Sequence, residues 1–346
     1  MPDVETVLGP VPHCDLGVTL VHEHLIADIT GLMPKQEMAG RPSLREAKVA
    51  ETPKSVIDRD PLASRDNCLM DSEVDALDEL AHYVRAGGGT IVDCTSIGLG
   101  RDIHALQRIA TQSATHIIAP TGLYLWHTTE RFIANRSASE LAEWMIREIT
   151  EGIDATAVKA GVIGEIGTST ELHDLERRAV SAAGIAHAQT GAPISVHLDQ
   201  VGQQGGRVLD LLASHAVPPD RVVIGHLDQR EDRSARYILE LASEGVFLGF
   251  DTFGTTFAYD SWGSDDPTDS DRIRLLIEVI DAGYASQVVL SHDMGLKNML
   301  RKNGGGGLAH LPETLWPTMV NRGIDPSLFQ TLFIDNPRRW LSGSND

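Results

Sequence analysis

The sequence is short of positive charge. Its 29 Lys and Arg stand against 49 Asp and Glu, giving a formal net charge of −20. That balance argues against nucleic acid and anionic membranes as partners, because both are gripped by basic surface. Cysteine is scarce as well. Cys14, Cys68 and Cys94 are odd in number and form no CxxC pair. They make neither a disulfide framework nor a zinc ribbon, and a reducing compartment is expected. No window holds enough consecutive apolar residues to span a bilayer. The opening MPDVETVLGP lacks a basic segment followed by an apolar one, so a cytoplasmic protein is expected. What is present is an ordinary globular composition: 346 residues, 42% hydrophobic and 23% charged, enough to bury one large core or two medium ones.

Short apolar runs alternate with helical spacing along the chain. Residues 1–16 read as a lead-in, a small hairpin. Residues 18–21 (VTLV) form the first strand and run into His22-Glu23-His24. Residues 30–65 are polar and carry Pro34, Pro42, Pro53 and Pro61. They read as an insertion after the first strand, placed either to close over a site or as a surface excursion. From residue 71 the rhythm is regular. Strands are expected at 90–95, 116–119, 161–166, 194–197, 222–226, 246–251 and 288–293. Helices are expected at 71–86, 102–112, 137–149, 172–190, 205–215, 235–245, 271–282, 311–322 and 326–333. Ser137 and Glu140 have capping-box spacing. Eight strands separated by helices imply parallel βαβ units and a closed (β/α)8 TIM barrel, an α/β fold. A single domain over 1–346 is expected, with its core at about 17–340. An open doubly wound sheet is the alternative, but it wants a Gly-rich phosphate turn after the first strand, where this chain has HEH.

In such barrels active sites sit at the carboxyl ends of the strands. Strand one ends in His22 and His24, strand four in Glu165, strand five in His197, strand six in His226 and strand eight in Asp293. Alternation in an extended chain throws His22 and His24 to one side. Nitrogen and carboxylate donors without thiolate suit zinc first, with manganese and cobalt also compatible. Six donors are too many for one open tetrahedral ion and enough for two divalent ions bridged by a carboxylate.

HEH after strand one, GEIG on strand four, SVH on five, IGH on six and SHD on eight resemble the phosphotriesterase-related family of the amidohydrolase superfamily. PTGLY (120–124), EGIDATAVKAG (151–161) and FDTFG (250–254) extend the likeness. The resemblance implies that His22, His24 and Asp293 hold one metal, His197 and His226 the second, and a hydroxide bridges them. It also implies a homodimer. Many members bridge their metals with a carboxylated lysine on strand four. No lysine occurs in 161–167, so Glu165 is expected to supply the bridge, as in the branch that this chain resembles most. The lactonase branch places arginine after the strand-seven aspartate. Here Asp251 is followed by Thr252, which weighs against homoserine-lactone-type substrates.

The expected function is metal-dependent hydrolysis of a small-molecule lactone or carboxylic ester. N-acyl amide or phosphotriester hydrolysis is the alternative, and a non-catalytic binder would need a broken metal site. Asp293 is the expected proton shuttle. Tyr124 and Trp126 after strand three, and Lys297 and Arg301 after strand eight, are further substrate-binding candidates. His310, Phe253 and Tyr259 could shape specificity. His292 should point away from the site.

Overall fold

A computed structural model describes residues 3–35, 43–229, 234–261 and 263–344. The chain opens with an antiparallel hairpin of Asp3–Thr6 and Gly9–Pro12. Eight strands follow: β1 (Val18–Glu23), β2 (Gly88–Asp93), β3 (His116–Ile118, resumed at Pro120–Thr121), β4 (Val162–Gly167), β5 (Ile194–His197), β6 (Val222–Ile224), β7 (Phe247–Phe250) and β8 (Val288–Leu290). Each neighbouring pair from β1 to β8 forms a parallel ladder. The ring closes between β8 and β1, where the His22 amide donates to Ser291 Oγ at 3.0 Å and the Asp293 amide to His22 O at 3.1 Å. The (β/α)8 expectation is met, and the open sheet is not.

Helices cover the ladder: α1 (Glu73–Arg85), α2 (Ile103–Gln112), α3 (Ala138–Thr150), α4 (Asp174–Thr190), α5 (Gly205–Ala213), α6 (Arg236–Ser243) and α7 (Asp269–Asp281). The Ser137–Glu140 capping box starts α3 as its spacing announces. After β8 a wide turn at His310–Leu315 leads into Trp316–Asn321, and Asn336–Ser342 closes the described chain. Leu20, Ile91, Ile117, Ile163, Ile194, Ile224, Leu248 and Leu290, one from each strand, are fully buried. Their removal from water supplies the largest favourable term in folding. Among the described residues no helix is long and apolar enough to cross a membrane.

Two differences from expectation bear on the site. A helix at Trp126–Ile133 follows β3, in a stretch for which no element was expected. It is short and its polar face carries no cap residue, so sequence alone gives it no start signal. Strands β6, β7 and β8 are also shorter than expected. They end at Ile224, Phe250 and Leu290 and leave the polar residues beyond in turns.

Residues 49–63 form two single turns and a short helix (Lys54–Ile57) that pack back onto the barrel through buried Ile57 and Leu62. They are stitched to a small hairpin after β7, Ala258–Tyr259 with Ser264–Asp265. The Ala258 amide donates to Asp58 O at 2.8 Å and the Asp260 amide to Arg59 O at 3.1 Å. The Arg59 guanidinium grips Asp260 at 3.0 and 3.2 Å, and the Ser261 hydroxyl donates to Asp60. These pieces make a roof at the carboxyl end of the barrel.

Within β4, Gly164 has φ +131°, and a Cβ there would stand 2.1 Å from Ser195 O on β5. Only glycine meets both conditions, which explains why no longer side chain stands beside Glu165. Gly164→Ala is expected to lower stability by about 2 kcal/mol or more. The urea unfolding midpoint measures this, and a midpoint equal to that of the parent protein would contradict the β4–β5 packing.

Candidate metal centre

Six side chains from five strands meet at the carboxyl-end rim. His22 lies on β1 and His24 one residue past its end. Glu165 lies within β4, and His197 is the last residue of β5. His226 and Asp293 sit beyond the ends of β6 and β8, both with left-handed backbone, φ 59° and 53°. His and Asp tolerate that conformation better than most residues, and such strain clusters at active sites.

The two oxygens of Glu165 face different histidine pairs. Oε1 is 3.5 Å from His22 Nε2 and 3.5 Å from His24 Nε2. Oε2 is 3.2 Å from His197 Nδ1 and 3.6 Å from His226 Nε2. Asp293 Oδ1 is 3.0 Å from His24 Nε2 and 3.6 Å from His22 Nε2. His22, His24, Glu165 and His226 are buried, while the side chains of His197 and Asp293 keep 19% and 31% of their surface open. The open pair faces a cavity of about 260 Å³.

Charge has accumulated here without ordinary partners. Burial opposes ionisation of Glu165, yet the imidazoles of His22, His197 and His226 hold its carboxyl well below the usual range. Burial pushes His226 down, but the Asp251 and Glu165 carboxylates raise it to about 10. His24 is raised by Asp293 and Glu165 against the same burial. Three buried atoms facing the centre have no hydrogen-bond partner among the described residues: His22 Nε2, His226 Nε2 and Glu165 Oε2. Buried polar atoms normally do have one. Nitrogen and carboxylate donors converging with their lone pairs unmet fit divalent cations. The ligand atoms of His22, Glu165 and His226 lie within 4.8 Å of one another, as do those of His22, His24 and Asp293.

A second layer orients this set. Asp251, just past β7, accepts from the His226 amide at 2.6 Å, and its Oδ1 is 3.0 Å from His226 Nδ1. Its Oδ2 is 3.3 Å from His22 Nδ1. Gly249 makes room for it, since a Cβ there would lie 2.7 Å from that oxygen. Thr95 Oγ1 is 3.0 Å from His24 Nδ1, and the Tyr124 hydroxyl 3.4 Å from His197 Nδ1. Sequence reasoning gave Asp251 and Thr95 no role. The visible signal for Asp251 was its place at a strand end on the same rim.

The weaker candidates divide. Tyr124 lines the cavity. Trp126 does not: it starts the unexpected helix and stacks on His173, with ring centroids 4.4 Å apart. Lys297 is taken up by Asp66 and Asp71 at 3.3 and 3.2 Å. Arg301 meets Glu313 at 3.2 Å. Neither cation lines the cavity, because their carboxylate partners hold them outside it. Tyr259 lines it, while Phe253 and His310 line a small separate void. His292 points away from the centre as expected, its Nδ1 2.7 Å from Glu23 Oε1.

The family model described as the phosphotriesterase family matches residues 2–341. The chain is 34% identical to the N-acetyltaurine hydrolase of Mus musculus over 346 residues, covering 98% of this chain and 97% of that one. A crystal structure of a resiniferatoxin-binding protein from Rhodobacter sphaeroides superposes with TM-score 0.96 at 32% identity, covering 100% of this chain and 96% of the other. The phosphotriesterase homology protein from Escherichia coli, complexed with phosphate in its active site, gives 0.79 at 30% identity, covering 94% and 99%.

Two measurements test the centre. Asp251→Asn frees both His22 and His226 to rotate and should weaken divalent-metal binding by a factor of about 10–100, read by chelator competition. An unchanged affinity would leave Asp251 with a packing role only. Because the carboxylates raise His226 and His24, loading the metal-free protein at pH 7 should release protons, on the order of one per chain or more. Calorimetry in buffers of different ionisation enthalpy counts them, and metal affinity should fall as the pH is lowered.

Proposed function

Because the chain belongs to the phosphotriesterase family and is a metal-dependent hydrolase, we propose that it cleaves a lactone or carboxylic ester of a small molecule at a two-metal centre. The observation that carries this reading is the split of Glu165: one oxygen toward His22 and His24, the other toward His197 and His226. A carboxylate facing two histidine pairs is what a bridge between two ions requires. His22, His24 and Asp293 would hold one ion, His197 and His226 the other, and Glu165 both. Zinc is the first expectation, with manganese and cobalt compatible with the same donors.

Two bound divalent ions supply Lewis acidity, which polarises a carbonyl oxygen and makes water a stronger acid. The protein supplies the rest. Asp293 stands between the centre and the cavity, with its pKa held below the usual range by His24, His22 and His226 in spite of burial. It is therefore an ionised base at neutral pH, placed to take a proton from the attacking water and hand it to the leaving oxygen. Asp251 and Thr95 keep the imidazoles aimed. Leu32, Leu62, Phe257 and Met299 wall the cavity and exclude water from around the reacting group. Leu32 and Leu62 belong to the 30–65 insertion, which on this reading is part of the same catalytic unit and closes over the site.

A second reading, N-acyl amide hydrolysis, is favoured by the N-acetyltaurine hydrolases at 31–34% identity. What transfers on that reading is the bond type. N-acetyltaurine ends in a sulfonate, and among the described residues no Lys or Arg lines the cavity to receive one.

Turnover of a panel of lactones, carboxylic esters, acyl amides and organophosphates by metal-loaded protein separates these readings. Lactones or esters should lead, and efficient amide turnover without them would replace the first reading by the second. In the best substrate, Asp293→Asn should lower kcat by a factor of about 10²–10⁴. Glu165→Gln removes the bridging charge and should lower metal content and turnover together, and unchanged activity there would make Glu165 structural.

A further inference from the structure

His292 adjoins Asp293 and takes no part in the reaction as described. Its ring is buried and held from two sides. Nδ1 is 2.7 Å from Glu23 Oε1, and Nε2 accepts from the Leu311 amide at 3.1 Å. An amide N–H can only donate, so Nε2 presents its lone pair and Nδ1 carries the proton. The two partners thus select one tautomer, in which Nδ1–H donates to Glu23. They come from distant parts of the chain. Glu23 is fully buried on β1, between His22 and His24. Leu311 lies in the wide turn His310–Leu315, which the chain reaches after an excursion beyond β8. Glu79 on α1 pins that excursion by accepting from the Arg301 and Leu308 amides at 2.6 and 3.3 Å.

Asp293 needs such ties. Its backbone is left-handed, φ 53°, a conformation that costs energy and persists where the surroundings impose it. Its own amide donates to His22 O at 3.1 Å. On either side of it, the His292 and Met294 amides donate to Glu23 at 2.9 and 3.0 Å. The Ser291 hydroxyl donates to the same carboxylate at 2.8 Å. The bond from His292 Nδ1, at 2.7 Å, is the shortest that Glu23 receives from this segment, and its ring alone carries the tie on to Leu311.

Resting on the two-metal hydrolase reading above, we infer that His292 is a positioning residue for Asp293. Locked between Glu23 and the Leu311 amide, it holds residues 291–294 so that the Asp293 carboxylate stays aimed at His22 and His24. The donor at Nδ1 does the holding, and the acceptor at Nε2 fixes which nitrogen carries the proton. A group that orients a ligand in this way governs metal affinity without touching the ion.

Three variants separate the two bonds. Asn places an amide nitrogen where Nδ1 stands, Gln an amide oxygen where Nε2 stands, and Leu offers neither. Zinc affinity, read by chelator competition, should fall about tenfold or more in His292→Leu and His292→Gln. His292→Asn should recover most of that loss. In the best substrate kcat should follow the same order, with KM little changed. The parent protein gives a readout that needs no variant. NMR of protein with nitrogen-labelled histidine should show a slowly exchanging proton on His292 Nδ1 and a bare Nε2. A proton on Nε2, an affinity that His292→Leu leaves unchanged, or a His292→Asn no better than His292→Leu overturns the inference. If His292→Leu does not fold, the Asn–Gln comparison and the ring spectrum decide in the same way. Affinities in the expected order without turnover of any ester or amide remove the hydrolase reading and leave this one standing. Turnover and affinity that all three variants leave intact remove only this one.

Discussion

A single carboxylate, Glu165, stands nearly without solvent between two pairs of imidazoles, and the geometry of the rim follows from it. A buried anion is costly unless opposite charge meets it on every open side. Glu165 satisfies that condition only if it projects across the barrel mouth, with β1 on one flank and β5 and β6 on the other. The register of four strands is therefore constrained by one side chain. Against burial, the surrounding carboxylates favour positive charge on His22, His24 and His226.

Further out, more buried charge turns this local demand into a rigid frame. Glu23 lies between the two histidines of HEH and points the other way. It accepts from Ser291 Oγ, the His292 amide, His292 Nδ1 and the Met294 amide at 2.7–3.0 Å. The residue between the two histidines is thus the strut that places the loop carrying Asp293. Asp228 does comparable work behind Asp251. It accepts from the Asp251 and Thr252 amides at 3.2 Å and faces the fully buried Arg272 at 3.4 Å. Arg272 is satisfied in turn by Thr252, Thr255 and Pro267. Partners of this kind fix ring orientation and ligand basicity, and their loss disturbs a metal site nearly as much as loss of a ligand.

How much of this could be read in the chain depended on the range of the interaction. The eight strands were legible because apolar, β-branched runs and the helices between them are local patterns. His22, His24, Glu165 and His197 were legible because they lie on or beside strands, where alternation holds. Past β6 and β8 alternation no longer applies: His226 and Asp293 take left-handed backbone. Their place at strand ends puts them on the rim all the same. The place of Asp251 between His22 and His226 could not be read from the chain, because it exists only once β1, β6 and β7 are side by side. The ion pairs of Lys297 and Arg301 were hidden for the same reason. A cation near a rim suggests an anionic substrate until Asp66, Asp71 and Glu313 are seen to occupy it.

The roof is held by a different grade of interaction. Ile57 and Leu62 bury apolar surface, but the Arg59–Asp260 pair is largely exposed on the arginine side, and such pairs contribute about 0–1 kcal/mol. At the rim, each residue is tied to a buried charge that another residue must answer, so one change leaves an uncompensated partner. In the roof a side chain can be exchanged for the loss of little more than its own contact area. The cavity wall contributed by Leu32, Leu62 and Phe257 therefore tolerates exchange better than the rim around Glu165 does. Such a barrel is rigid where buried charges answer one another and more tolerant where the contacts are apolar or exposed.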